Sequence, residues 1–100
     1  MPELVRLSDS DVRSRSASLP EWEFRDGALH RELQFRNFVD AFTFMTTVAF
    51  VAERMGHHPE WSNVYNKVAV ALSSHEVDGV SENDFAMAAE ISEIYRRFGE

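Results

Sequence analysis

Apolar residues along this chain change their spacing several times, and each change predicts an element. In EWEFRDGALHRELQF, residues 21–35, Trp22 and Phe24 alternate with charges, and Leu29, Leu33 and Phe35 do so less regularly. Asp26-Gly27 stands between the two runs, a strong hairpin pair. Two antiparallel strands are expected here. From Asn37 to Met55 the spacing becomes three and four. Phe38, Ala41, Phe42, Met45, Val48, Ala49, Ala52 and Met55 then stack on one helical face. Asn37 suits the N-cap, Asp40 the positive first turn, and Gly56 the stop after the last turn. Val39 and Phe50 fall off that face, as stray surface residues or as part of a shared interface.

Alternation returns after Gly56. Val64 precedes an Asn66-Lys67 turn candidate. Val68, Val70 and Leu72 then alternate with Lys67, Ala69, Ala71 and Ser73, bulky on one side and small on the other, as in a strand with a core on one face. Asp78-Gly79 marks another turn. Ser81-Glu82-Asn83-Asp84 reads as a capping box with Asp at its last position, a feature that needs no further role. It opens a last helix with Phe85, Ala88, Ile91, Tyr95 and Phe98 on one stripe. Near the start, Ser8 or Ser10 caps a short helix from about Asp9 to Ala17, ended before Pro20. The order is helix, two strands, helix, two strands, helix. Hairpin-paired strands with separate helices predict an α+β fold, helices on one face of an antiparallel sheet.

Composition narrows the function classes. One hundred residues, 44% hydrophobic and 12% aromatic, predict one domain over 1–100 with a core of its own. So small a domain buries a limited share of its surface, which favours self-association. A formal charge of −7 with no basic stripe argues against nucleic acid as a partner. There is no cysteine, hence neither a disulfide framework nor a thiolate metal site. No apolar run reaches membrane-spanning length, and MPELVRLSDSDVRSRS lacks the apolar heart of a signal peptide. The expectation is a soluble, cytoplasmic protein.

The chemistry gathers in GHHPEWSNVYNK, residues 56–67. Two of the chain's four histidines stand there side by side, and Glu53 lies one helical turn before His57. The helix ends at Gly56, so His57 and His58 leave on a loop outside the apolar stripe, and Pro59 pushes His58 toward extended backbone. His75 follows the alternating strand. Trp61 and Tyr65 offer flat surfaces for a ring. Each residue also has a plain reading: solvated imidazoles, a surface glutamate, core aromatics. Three histidines and a carboxylate also suit zinc by ligand type. The residues alone reach no further than a small-molecule site rich in imidazole.

The run AERMGHHPEWSNVYNKVAVALSSH resembles the signature of pterin-4a-carbinolamine dehydratases. Glu53, His57-His58-Pro59, Glu60-Trp61, Asn63 through Val68, and Ser74-His75 carry the likeness. FRNFVDAFTFMTTVA resembles the family's first long helix, and GVSENDFAMAAEI the start of its last. The resemblance implies a four-stranded antiparallel sheet with helices on one face. It implies removal of water from a 4a-hydroxytetrahydropterin to give the quinonoid dihydropterin, in tetrahydrobiopterin recycling. His57, His58, His75 and Glu53 would be catalytic. His57, His58, Trp61, Ser73, Ser74, His75 and Glu76 would line the pterin. No cofactor and no metal is implied. Association as a homodimer or homotetramer is implied, and some relatives also serve as dimerisation partners. Two positions depart from familiar members, which often have an acidic residue at Gly56 and a basic one at Asn83.

Overall fold

The structure is a computed structural model that describes residues 4–98. Ser8 caps α1 (Asp9–Arg15), its side chain accepting from the Asp11 amide, and a short 3-10 turn follows. Strands β1 (Glu23–Arg25) and β2 (Ala28–Gln34) flank Asp26-Gly27, and both turn residues have positive φ, the type I′ requirement. Asn37 caps α2 (Phe38–Met55) by accepting from the Asp40 amide. Strands β3 (Glu60–Val64) and β4 (Lys67–Leu72) form the second hairpin. A 3-10 turn (His75–Val77) leads to α3 (Glu82–Arg96), capped by Ser81.

The four strands pair antiparallel in the order β1-β2-β4-β3. Leu29, Leu33, Val68, Val70 and Leu72 point to one face and are buried with residues of α2 and α3. Glu32, Ala69 and Ser62 sit in register across the other face, which is exposed. This is the α+β arrangement expected, helices on one side of the sheet. Among the described residues, no helix is long and apolar enough to cross a membrane.

Two details differ from the pattern. The second hairpin turns on Tyr65-Asn66, one residue before the expected pair, because Lys67 is already in β4, opposite Gln34 and Val64. Asn66 fixes that turn: its side chain donates to the Phe35 carbonyl at 2.8 Å, and the Phe35 amide donates back to Asn66. The buried face of α2 is also rotated. Ala41, Phe44, Val48, Val51 and Ala52 face inward, while Phe38, Phe42 and Ala49 are exposed. The helix carries two apolar stripes, and only one can meet the sheet. Phe44 fits there because Phe35 and Phe98 form an aromatic pocket around it, with centroids at 5.0 and 6.0 Å.

The segment ahead of α1 is bound to the far end of the chain. Leu7 donates to the Val80 carbonyl at 2.8 Å, and the Arg6 stem lies so close to Gly79 that a Cβ there would sit 2.5 Å from it. Arg15 pairs with Glu82 and lies over the Phe85 ring. That hydrogen bond holds the Glu82 carboxyl below its ordinary value.

Candidate active site

The end of α2 decides where the two adjacent histidines go. Gly56 adopts left-handed φ 63. Its amide donates to Glu53 at 3.2 Å, and the His57 amide reaches back to Ala52 at 3.1 Å. This is the Schellman pattern of two bonds closing a helix. It aims the first residue after the glycine back at the core. His57 is therefore buried, 6% exposed, although the loop position suggested a side chain outside the core. His58, one residue on, points the other way and is exposed.

His57 enters a polar network inside the protein. Its Nε2 lies 2.5 Å from Oδ1 of Asp84, a fully buried carboxylate. Oδ2 of Asp84 accepts from the Ser74 hydroxyl at 2.8 Å and from the Ser81 amide at 2.9 Å. The Ser81 hydroxyl lies 2.6 Å from Ser74 Oγ. Among the described residues, no buried side-chain polar atom is left without a partner. A buried carboxylate surrounded by donors is stable as an anion. It requires a proton on His57 Nε2, so in the neutral ring Nδ1 carries the lone pair. Capping box and imidazole anchor are thus one carboxylate. The sequence reading assigned Asp84 only the cap. An S-x-x-D cap, whose acid is shorter than the usual Glu, was the available signal, but the partnership with His57 spans 27 residues.

The other two imidazoles have looser partners. His58 Nε2 meets Glu53 Oε2 at 2.8 Å, both side chains largely exposed. His75, first residue of the 3-10 turn, stands 3.9 Å from Glu60 at the start of β3. Ser74 anchors this turn by donating its amide to Gly79 at 2.7 Å.

A cleft of about 260 Å³ lies between the two loops, lined by Gly56, His57, His58, Pro59, Glu60, Ser73, His75 and Glu76. Five of the expected site residues therefore share one cavity. Three stand elsewhere. Glu53 is behind His58, Ser74 turns its hydroxyl inward to Asp84, and Trp61 packs half-buried against the core. Tyr65 is exposed at the hairpin tip. Glu60 lines the cleft without having been singled out as a site residue. Larger hollows of about 480 and 400 Å³ lie along the strands around Glu32 and Ala69. They hold one histidine, His30, whose Nε2 already meets the Arg25 carbonyl, whereas the smaller cleft is lined by three. Among the described residues, no three His, Asp or Glu side chains are arranged to hold a metal ion.

Residues 5–94 match the sequence model of the family described as "Pterin 4 alpha carbinolamine dehydratase". The chain belongs to that family. Its members are by name dehydratases, that is hydro-lyases. A Prochlorococcus marinus protein (strain MIT 9303), provisionally named a pterin-4-alpha-carbinolamine dehydratase, is 48% identical over 86 residues, covering 86% of this chain and 90% of that one. A Solibacter usitatus protein with the same provisional name is 42% identical over 90 residues, 90% of this chain and 95% of that one. A crystal structure from Brucella melitensis, described as a transcriptional coactivator/pterin dehydratase, superimposes with a TM-score of 0.87 at 39% identity. It covers 90% of this chain and 98% of that chain. For a pterin-dehydratase-family chain, the cleft at the end of α2 is the place to look for the chemistry.

Proposed function

We propose that this chain dehydrates 4a-hydroxytetrahydropterins by histidine general acid–base catalysis, in the recycling of a tetrahydropterin. The observation that carries the reading is the set of three imidazoles around one cleft in a chain of this family. The reaction breaks the C4a–O bond, which needs a proton on the leaving hydroxyl, and it removes the proton from N5. Water and the quinonoid dihydropterin leave together. One proton enters the substrate and one departs, so the protein ends with the protons it began with. Imidazole, with a reference pKa of about 6.5, serves either role near neutrality.

His57 and His58 are the proton-transfer groups in this reading, and His75 holds the departing hydroxyl. Glu53 orients His58, and Asp84 orients His57 through Nε2. Ser73 and Glu76 line the ring from the loop after β4. No step calls on a cofactor or a metal. The test is to follow decay of enzymatically generated 4a-hydroxytetrahydropterin with the chelated, metal-analysed protein. Acceleration well above the spontaneous rate is expected. Activity that vanishes on chelation and returns with stoichiometric zinc would overturn the acid–base account.

A second role, in self-association, has its own observation. Phe38, Val39, Phe42 and Phe50 are 47%, 69%, 55% and 74% exposed along α2. Phe42 and Phe50 stand four residues either side of Thr46, with small Thr43 and Ala49 three residues either side. A stripe symmetric in size matches itself when two copies meet antiparallel. The chain is therefore expected to form at least a dimer through α2. Light scattering of the wild type and of Phe42→Glu tests this. A wild-type monomer at high micromolar concentration would exclude it.

A further inference from the structure

We propose that Arg6 and Gly79 are positioning residues for His75: the Arg6 side chain is the stop against which the turn carrying that imidazole rests. The consequence for turnover rests on the dehydratase reading.

Space, not backbone shape, accounts for a glycine at 79. Gly27 and Gly56 have left-handed φ and Gly79 does not, so no left-handed turn calls for it. A Cβ there would lie 2.5 Å from Cδ of Arg6, 2.9 Å from Cγ and 3.8 Å from Nε, its three nearest atoms. Gly79 is buried, while Arg6 is exposed, its apolar stem laid over the glycine backbone. The stem is held there from behind. Leu7 donates its amide to the Val80 carbonyl at 2.8 Å and packs against the core. Farther along the same segment, Val12 is buried, and Arg15 pairs with Glu82 and lies 4.4 Å from the centre of the Phe85 ring. The segment 6–15 is thus tied at both ends to residues 79–85.

Gly79 closes the turn that carries His75. The Ser74 amide donates to its carbonyl at 2.7 Å, and its own amide donates to the Ser74 carbonyl at 3.4 Å. Between them stand the 3-10 turn His75–Val77 and Asp78 with left-handed φ 54. His75 and Glu76, which line the cleft, therefore ride on a loop clipped where Arg6 lies. Little else fixes the ring. Among the described residues, the His75 side chain pairs with Glu60 alone, at 3.9 Å, and both are largely exposed. Exposed pairs of that kind hold a side chain weakly. The backbone of the turn thus sets where the imidazole stands. The same clip reaches His57, because the Ser74 hydroxyl donates to Asp84, the partner of His57. No residue of the segment 6–15 lines the cleft, so its influence on the chemistry is one of position. A shift of about 1 Å in a reacting group can cost on the order of 10² in rate.

The experiment is a double-mutant cycle on the full chain: Arg6→Ala, Gly79→Ala and the two together. Turnover is measured beside the His75 ring signal in NMR spectra, which need no substrate. In Gly79→Ala the new methyl collides with the Arg6 stem. Turnover is expected to fall about tenfold or more, with the His75 signal displaced. Arg6→Ala removes the stop, and a smaller fall of about threefold with a smaller displacement is expected. In the double variant the methyl takes the place the stem has left. Turnover should return to within about twofold of wild type, and the His75 signal to its wild-type position. A glycine that served only the packing of its own loop would give no such rescue. A double variant as slow as Gly79→Ala, or a His75 signal unmoved in both single variants, would overturn the inference and leave the dehydratase reading standing. Should Gly79→Ala not fold, a double variant that folds with the wild-type His75 signal supports the inference, and one that also fails to fold overturns it. If the His75 signal follows the cycle while the wild type does not dehydrate a 4a-hydroxytetrahydropterin, the positioning of the ring stands and the dehydratase reading falls.

Discussion

His57 and His58 are neighbours in sequence and opposites in structure. His57 is 6% exposed, and its acid partner Asp84 is buried completely. The His58 side chain is 64% exposed, and its partner Glu53 is 78% exposed. One imidazole is a structural element that also faces a cleft. The other is a surface group standing over it. Identical chemistry is thus placed in two dielectric settings one residue apart. Removing His57 strands a buried anion, whereas removing His58 leaves a solvated one.

The largest expected effect follows from that contrast. His57→Ala leaves Asp84 with only Ser74 and Ser81 as donors. Breaking a buried pair costs about 3–5 kcal/mol, and the remaining donors favour the low end. For a domain of this size that is a fall in thermal midpoint on the order of 10–20 °C, with activity lost as well. A midpoint within a degree or two of wild type would show that the Asp84 network does not carry the fold around it.

His58→Ala should do the reverse. Turnover falls by about 10²–10⁴ if the group transfers a proton. Stability changes by no more than about 0.5 kcal/mol, as for other surface substitutions. Parallel denaturation and stopped-flow dehydration assays on the two alanine variants read the contrast directly. Should His58→Ala turn over like wild type, proton transfer would move to His57 and His75 alone.

Glu53→Gln has the smallest effect of the series. An exposed ion pair is worth about 0–1 kcal/mol, so turnover should fall by at most about fivefold and the midpoint should hardly move. A loss as large as that of His58→Ala would mean Glu53 handles a proton itself rather than orienting a ring.

What the sequence made legible was local. Asn37, Gly56, Asp26-Gly27 and Ser81 act on residues within a few positions, and the structure has the predicted cap or turn at each. What it concealed was the choice among distant partners. Phe42 and Phe44 are both apolar and two residues apart. Only the aromatic cluster built by Phe35 and Phe98, from other elements, selects Phe44. Asp84 met every requirement of a cap, and its shortness beside the usual Glu was the one local signal, pointing to no partner 27 residues away. The histidines and Glu53 were visible because they are few and closely spaced. Their depths were not, because burial of His57 depends on where α3 begins.

Gly56 sets a phase. After its left-handed turn the chain runs out with side chains alternating, so odd and even positions are assigned to inside and outside at that point. A methyl group at Gly56 would meet open space and cost only the backbone strain, about 1–2 kcal/mol. Adding one residue after Gly56 is a different kind of change. It reverses the parity of the loop, turns His57 to solvent, and sets a foreign side chain against Asp84. The composition of this site tolerates editing better than its count does, and a length change of one between residues 56 and 59 is the alteration it can least absorb.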